Sequence, residues 1–323
     1  MSRDSKEGAG RREFLRRVAA GASLAGLAQV GAAGTALAAT RMDAGQPSET
    51  ALGAAKLRAV HQILEYPHIL HDPFALPILG PGGEAELRAA LPLYQTPFPR
   101  AMRASMVLRS RYADDRFFGA TRRGVRQYVV LGAGLDTFAY RNQYPDHMLR
   151  VFEIDHPATQ AWKRGRLREM RIPVPASLTF APVDFERQSL AEELARAGFR
   201  RDQPAFFSWL GVSMYLTEGA VMETLRYVAS LAPGSEIVFD FTVPVSTSSP
   251  ARQAGRAAAA DYVARLGEPW ITFFEPQDLV QRLGRTGFSD ATLLGPQEAH
   301  RRYFAGRSDG FRAAGSHLMA ALV

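Results

Sequence analysis

Apolar residues recur along the chain in two patterns, which predict helices before residue 124 and alternating strands and helices after it. Within residues 50–65 and again within residues 101–119, apolar positions return every three or four residues, as on one face of a helix. Residues 71–75, His-Asp-Pro-Phe-Ala, predict a turn between them, because proline excludes the helical conformation for the preceding residue.

The second pattern consists of short, continuously apolar runs, which are typical of strands buried on both faces of a parallel sheet. These runs predict strands at residues 127–131, 149–154, 177–183, 205–209, 236–241 and 291–294. Helices are predicted at residues 158–169, 189–197, 218–231 and 276–285, and a final apolar run at 317–323. Right-handed crossovers between such strands produce an α/β fold with a doubly wound, Rossmann-like sheet.

This pattern divides the chain into three regions. Residues 1–38 form a leader, residues 39–124 an N-terminal helical cap region over the pocket, and residues 125–323 the Rossmann-like core. The stretch from Pro244 to Gly255 is rich in serine, proline and threonine, and we predict a flexible flap or insert there.

The leader resembles a twin-arginine export signal. Arg11-Arg12 precedes a mildly apolar run rich in alanine and glycine, which ends in the small-x-small sequence Ala36-Leu37-Ala38. Alanine and glycine contribute little to membrane insertion, so we expect no stable anchor in the bilayer. Export and a leader that is not used both remain open.

Composition narrows the function classes. A chain of 323 residues with 46% apolar and 22% charged residues is an ordinary globular protein with a sizeable core. The absence of cysteine excludes disulfides and thiolate ligands, and the scattered histidines predict no metal site. The net charge of +7 is not gathered into a stripe interleaved with aromatic residues, so we expect no nucleic-acid partner.

The loop after the first predicted strand carries the most informative motif. Gly132-Ala133-Gly134 lets the backbone approach a ligand closely, but Thr137 stands where a dinucleotide-binding loop has its third glycine. An oxidoreductase that binds a dinucleotide is therefore disfavoured. In a doubly wound sheet this loop lies where the ligand binds, at the carboxyl ends of the strands.

Acidic residues end the next two predicted strands. Asp155, after Glu153, is placed to accept hydrogen bonds from the two hydroxyls of a ribose. Asp184-Phe185 offers an acceptor for an exocyclic amine and a face for an aromatic ring. Together these positions predict a site for adenosine without a diphosphate.

The ordered set of motifs resembles the S-adenosylmethionine-dependent methyltransferases of the leucine carboxyl methyltransferase type, and most of all their bacterial O-methyltransferase-like branch. The resemblance covers most of residues 50–323 and rests on Gly132-Ala133-Gly134-Leu135-Asp136-Thr137, Tyr140-Arg141, Glu153-Ile154-Asp155-His156-Pro157, Lys163, Asp184-Phe185 and Met214-Tyr215-Leu216.

The resemblance implies S-adenosyl-L-methionine as cofactor, bound by the glycine loop and by three further groups. Arg109, with Arg111 as the alternative, would pair with the methionine carboxylate, because a guanidinium fits a carboxylate bidentately. Asp155 would bind the ribose and Asp184 with Phe185 the adenine, while Glu153 would be structural.

One position departs from the family. Leu210 stands after the fourth predicted strand, where related enzymes carry a glutamate that contacts the cofactor. The resemblance therefore leaves open how the amino group of the cofactor is recognised; backbone carbonyls near Gly132 or Trp209 are one alternative.

The implied reaction is methyl transfer to an oxygen of a small molecule or a peptide. A carboxylate acceptor needs no base, whereas a hydroxyl does, and the sequence marks none. Tyr215 is the candidate for orienting the acceptor, and Arg141 either neutralises an acidic acceptor or pairs with Asp136 or Asp155. We expect a catalyst in the cytoplasm, where the cofactor is made. The alternative is an exported binding module without turnover. The oligomeric state is open.

Overall fold

The computed structural model describes residues 48–183, 188–244, 250–315 and 317–323. The predicted leader, residues 1–38, lies outside the described residues. So do Asp184 and Phe185, the predicted adenine-binding pair, which therefore remains a prediction.

In the described residues, three α-helices precede the sheet: α1 (Glu49–Leu64), α2 (Gly83–Tyr94) and α3 (Pro97–Arg122). The side chain of Ser48 caps α1 by accepting a hydrogen bond from the amide of Ala51, which satisfies one of the free donors of the first turn. Helix α3 extends the predicted second helix by four residues at its start and by three at its end.

Seven strands form one sheet in the described part of the chain, in the order β3-β2-β1-β4-β5-β7-β6. They are β1 (Gln127–Leu131), β2 (Arg150–Asp155), β3 (Leu178–Pro182), β4 (Ala205–Trp209), β5 (Glu236–Phe241), β6 (Asp290–Leu294) and β7 (His317–Leu322). The first five pair in parallel, and β7 is antiparallel to both β5 and β6. The strand order reverses between β1 and β4, which confirms the predicted doubly wound α/β fold and fixes its ligand-binding edge.

Helices connect and cover the strands. They are α4 (Phe138–Arg141), α5 (Pro157–Glu169), α6 (Leu190–Arg196), α7 (Glu218–Ala229), α8 (Pro250–Arg265), α9 (Pro276–Thr286) and α10 (Pro296–Ala299). Among the described residues, no helix combines the length and the apolar character that crossing a bilayer requires.

Successive residues of the central strands point to opposite faces of the sheet and enter two separate apolar clusters. Tyr128 and Val130 of β1 pack with buried residues of α1 and α3, such as Val107. Val129 and Leu131 pack on the other face, with residues of α6, α7 and α9. The helices before the sheet are thus part of one of its two core layers, and they bring side chains close to the strand ends.

In two segments the secondary structure differs from what the sequence predicts. Helix α2 was not predicted, because it begins with Gly83 directly after Gly82 and contains Pro92, and both features argue against a helix. The predicted flap from Pro244 to Gly255 is wrong in its second half, since α8 already begins at Pro250, a favoured first helical residue. Residues 245–249 lie outside the described residues.

The substitution Gly132→Ala should lower the free energy of unfolding by about 2 kcal/mol or more. Gly132 has a φ of 66°, and a Cβ at this position would overlap the side chain of Val212. Urea unfolding monitored by circular dichroism measures the change. The matched control is Gly165→Ala in α5, where a Cβ meets no atom within 4 Å and should be neutral or stabilising. Equal stabilities for the two variants would contradict this account of the loop.

Candidate active site

The loop after β1 is fastened to the end of β2 through its backbone. The amides of Gly132 and Ala133 both donate to the carbonyl of Ile154, at 2.9 and 3.0 Å. The amide of Gly134 donates to the carboxylate of Asp155. Gly132 and Gly134 both have positive φ, a conformation that glycine adopts without strain. The two strand ends therefore form one rigid unit.

Asp155 lies at the centre of this unit. One carboxylate oxygen accepts from Gly134, and the other accepts from the amide of His156 at 2.6 Å. Burial raises the pKa of Asp155, while the two backbone amides act in the opposite direction. Each oxygen keeps a lone pair for a further donor, which suits the predicted role with the hydroxyls of a ribose.

Helix α1 lies against the other side of the loop. A Cβ at Gly134 would come within 3.2 Å of the Cβ of Ala51, so the loop and helix α1 pack closely against each other. The buried guanidinium of Arg58 donates to the carbonyl of Leu135 and lies 3.6 Å from the carboxylate of Asp72. Burial lowers the pKa of Arg58. The cap region thus holds the loop in place through a buried cation.

A second buried cation supports the loop from helix α5. Lys163 of α5 donates to the carboxylate of Glu153 and to the carbonyl of Asp136, both at 2.7 Å. Glu153 and Lys163 are each only 1% exposed. Burial raises the pKa of Glu153 to about 7, against the opposing effect of Lys163. The geometry agrees with the expected structural role of Glu153.

Arg109 reaches from α3 to the ends of β4 and β5. Its Nη1 lies 3.2 Å from a carboxylate oxygen of Asp240, the penultimate residue of β5. The other carboxylate oxygen of Asp240 accepts from the amide of Gly211 at 2.5 Å. A Cβ at Gly211 would lie within 2.5 Å of the Arg109 guanidinium, so glycine makes room for the cation there. Arg109 therefore lies at the ligand-binding edge, as predicted.

The two other predicted arginines have different partners. Arg111 donates to Asp115 and to the carbonyl of Ile69, away from the strand ends, so Arg109 is the better placed of the two alternatives. Arg141 forms a bidentate ion pair with Asp114, in which Nη1 and Nη2 donate to the two carboxylate oxygens at 2.5 and 3.0 Å. The expected pairing of Arg141 with Asp136 or Asp155 is wrong, because α3 places Asp114 closer to the guanidinium.

Leu210 follows β4, as the sequence indicates, and is partly buried against the core layer that contains the cap helices. Val212, two residues later, packs against the opposite core layer and touches the glycine loop at Gly132. The turn after β4 therefore contacts the loop through apolar atoms. The carboxylate next to this turn comes from Asp240 on the neighbouring strand β5.

Tyr215 lies in a short 3₁₀ turn, Ser213–Tyr215, after β4. The segment after α8 is joined to this turn, since the amide of Ile271 donates to the carbonyl of Met214 at 2.8 Å. Burial raises the pKa of the Tyr215 hydroxyl to about 12, and the indole of Trp270 acts in the opposite direction. The buried Nε1 of Trp270 does not reach hydrogen-bonding geometry with any group in the described residues.

Glu268 of the same segment is held by the start of α1. Its two carboxylate oxygens accept from the hydroxyls of Ser48, at 2.7 Å, and Thr50. The charges of Glu268, Arg109 and Asp240 all act on the Tyr215 hydroxyl, whose pKa burial raises. The turn that carries Tyr215 is held by β5, because the Ser213 hydroxyl donates to the Asp240 carbonyl at 2.6 Å, and by the segment after α8.

Three of these residues were not singled out by the sequence: Arg58, Asp240 and Trp270. Asp240 had a detectable signal, because it is an acid near the carboxyl end of a predicted buried strand. Arg58 is a charge within the apolar pattern of the first helix, which also marks it as unusual. Nothing in the sequence marked Trp270 as a site residue, since a tryptophan outside any predicted helix or strand can equally well pack in the core.

The arrangement fits an adenosyl group with an amino-acid head group. Gly132 has no Cβ to obstruct the loop, Asp155 offers acceptors, and Arg109 offers donors at one sheet edge. No group of three or more His, Cys, Asp or Glu side chains that could hold a metal ion occurs in residues 48–183, 188–244, 250–315 and 317–323.

Comparison with known sequences agrees with this geometry. Residues 51–229 match the profile of the family described as leucine carboxyl methyltransferase. YktD of Bacillus subtilis (strain 168), which is assigned as an S-adenosyl-L-methionine-dependent methyltransferase, is 34% identical over 231 residues, covering 70% of this chain and 71% of YktD. A protein of Mycolicibacterium paratuberculosis (strain ATCC BAA-968 / K-10) with the same assignment is 32% identical over 280 residues, covering 79% and 85%.

A solved structure supports the fold. The crystal structure of a protein from Thermobifida fusca YX, assigned as a methyltransferase, superposes with a TM-score of 0.53 at 18% sequence identity. The superposition covers 88% of this chain and 97% of that chain.

Asp155→Ala should reduce the affinity for S-adenosylhomocysteine by about tenfold or more, because the variant loses the acceptor for the ribose. Isothermal titration calorimetry measures the affinity, and circular dichroism checks the fold. Asp146→Ala is the matched control: Asp146 also accepts from a backbone amide, that of Ala176, but at the opposite edge of the sheet. An unchanged affinity in Asp155→Ala would place the ribose elsewhere.

The stability contribution of Glu153 should depend on pH. Its folded-state pKa of about 7 lies above the ordinary 4.5, so between these values the folded protein holds a proton that the unfolded chain has released. The contribution is therefore complete below pH 4.5 and is lost as the pH rises through 7. Lowering the pH across this window should stabilise the wild type relative to Glu153→Gln by up to about 3 kcal/mol.

Urea unfolding at several pH values tests this expectation. The control is Glu192→Gln, which removes an exposed glutamate of α6. A constant difference between wild type and Glu153→Gln across the window would contradict the raised pKa.

Proposed function

Since the chain belongs to the leucine carboxyl methyltransferase family of S-adenosylmethionine-dependent methyltransferases, we propose that it methylates a carboxylate oxygen of a small molecule or a peptide. The observation that carries this choice of acceptor is a pair of neighbouring hydrogen-bond donors, the Tyr215 hydroxyl and the Trp270 indole, of which Tyr215 lies within range of the charge of Arg109. A hydroxyl acceptor is the alternative that the experiment below distinguishes.

A carboxylate acceptor and a hydroxyl acceptor require different groups in the active site. A carboxylate is ionised at neutral pH, so it needs donors to orient it and no base. A pKa of about 12 keeps the Tyr215 hydroxyl protonated, which makes it a donor and a poor base at neutral pH. The buried Trp270 Nε1 is a donor only; no acceptor in the described residues reaches full hydrogen-bonding geometry with it, and the Tyr215 hydroxyl is the neighbour on which it acts. Both groups favour an anionic oxygen as their partner.

The side chains around the loop would hold the cofactor. Asp155 offers acceptors to the ribose, and Arg109 offers a guanidinium to the carboxylate of the methionine portion. When bound, S-adenosylmethionine supplies an activated methyl group on a cationic sulfur. The protein then has to place an oxygen in line with that methyl group, and positioning of this kind contributes roughly 7–11 kcal/mol.

The packing around Tyr215 serves this positioning. Hydrogen bonds fix the segment after α8 at Met214 and at the start of α1. The turn that carries Tyr215 is therefore joined to this segment before an acceptor arrives. Partial burial of the same space limits water near the reacting oxygen.

Incubation with a labelled methyl donor and a metabolite or peptide extract tests the proposal. The expected product releases its label as methanol on mild alkaline treatment, because methyl esters hydrolyse and methyl ethers do not. A label that resists alkali would indicate a hydroxyl acceptor and contradict the proposal. Binding of cofactor without any labelled product would favour a module without turnover.

Tyr215→Phe should reduce kcat/KM for the acceptor by about tenfold while leaving the affinity for S-adenosylhomocysteine unchanged, because only one donor to the acceptor is lost. Steady-state kinetics and calorimetry measure the two quantities. Tyr227→Phe in α7 is the matched control, since its buried hydroxyl has no hydrogen-bond partner in the described residues. Equal kinetics for the two variants would remove Tyr215 from the acceptor site.

A further inference from the structure

The ion pair between Arg109 and Asp240 has features that a purely structural salt bridge does not need. The two side chains are 14% and 11% exposed, so both are mostly buried and still reach solvent. Asp240 is the only hydrogen-bonded partner of Arg109 within the described residues, and it uses one of the five N–H donors of the guanidinium. Each carboxylate oxygen of Asp240 accepts one hydrogen bond and can accept another.

The position of this pair follows from the strand order. Because β5 lies beside β4, its end places Asp240 next to the turn at Gly211, whose amide it fixes at 2.5 Å. Val212, in the same turn, touches the glycine loop at Gly132. The pair therefore lies at the same sheet edge as the loop, and the turn after β4 offers no side-chain carboxylate there, since Leu210 and Val212 are apolar.

A guanidinium and a carboxylate side by side are complementary to an α-amino acid, which carries an ammonium and a carboxylate on one carbon. The side-chain pair is neutral, and so is the zwitterion, so the two can associate without burying a net charge. Charge-assisted hydrogen bonds then form in both directions, which makes the recognition specific for a head group that has both charges.

We propose that Asp240 binds the ammonium of the methionine portion of the cofactor, while Arg109 binds its carboxylate. Asp240 thereby takes the place of the carboxylate that is missing at Leu210, supplied from β5 instead of β4. The inference rests on the cofactor of the family and not on the proposed acceptor, so the two proposals fail in different experiments.

A second role for Asp240 has to be separated from this one. If Asp240 only positions Arg109, its removal weakens binding of the carboxylate of the ligand. If Asp240 binds the ammonium, its removal weakens binding of the amine. Ligands that carry one charge of the head group at a time distinguish the two roles.

Four adenosyl thioethers provide these ligands for isothermal titration calorimetry. S-adenosylhomocysteine carries both charges, S-(5′-adenosyl)-3-thiopropylamine only the ammonium, and S-(5′-adenosyl)-4-thiobutyrate only the carboxylate. 5′-Methylthioadenosine carries neither and reports on the adenosine site alone. Asp240→Asn is the principal variant, because its amide oxygen can still accept from the Gly211 amide.

Asp240→Asn should lower the affinity for S-adenosylhomocysteine and for the thiopropylamine by about 10- to 100-fold, and leave the thiobutyrate and methylthioadenosine within about twofold. Arg109→Gln should show the reverse, losing the thiobutyrate and keeping the thiopropylamine. Asp202→Asn, an exposed aspartate in the loop before β4, is the matched control and should change nothing.

Two results would overturn the proposal. Unchanged binding of the thiopropylamine in Asp240→Asn would remove Asp240 from the ammonium site, and selective loss of the thiobutyrate would reduce it to a positioning residue for Arg109. Should Asp240→Asn lose all four ligands through misfolding, Arg109→Gln decides. Weaker binding of the thiobutyrate and of S-adenosylhomocysteine, with the thiopropylamine retained, supports the division of charges, and an equal loss of the thiopropylamine contradicts it.

Discussion

The attachment of the first loop to the end of β2 is the constraint on which the rest of the site depends. Three consecutive amides, those of residues 132–134, are all directed at Ile154 and Asp155. Backbone donors leave no side-chain freedom to adjust, so the ends of β1 and β2 keep a fixed separation. The carboxylate of Asp155 must then serve the loop and a ligand at once, which limits this position to a short acidic side chain.

The helices before the sheet complete the site instead of only covering it. Helix α1 supplies Arg58 to the loop, and α3 carries Arg109 to the ends of β4 and β5. Both cations come from the cap layer, whereas the carboxylates Asp155 and Asp240 come from the strands. The helices thus supply the cations and the strands supply the carboxylates at the same ends of the sheet. The site is complete only when the helices are packed on the sheet.

The sequence predicts the central sheet well because β1, β2, β4 and β5 are buried over all or most of their length and therefore appear as largely apolar runs, whereas β3 is only partly buried. It also predicts which strand ends carry the acids, since alternation and strand length place Asp155 at a tip. It does not predict that Asp240 lies beside Arg109, because that contact depends on strand order and on a glycine at 211. The partner of Arg141 was also missed: the sequence offered Asp136 and Asp155, and only tertiary packing brings Asp114 of α3 to the guanidinium.

The position of β7 has a consequence for how the chain assembles during translation. This strand, the last of the described elements, lies between β5 and β6 and is the one strand in the described residues that pairs with β6. While the ribosome is still making the polypeptide, β6 has no neighbour to hydrogen-bond with, and one side of β5 stays open. The first five strands can pair earlier, and the loop after β1 and the acids at the strand ends belong to this part of the sheet. The ligand-binding part can therefore form before β6 and β7 are added to the sheet.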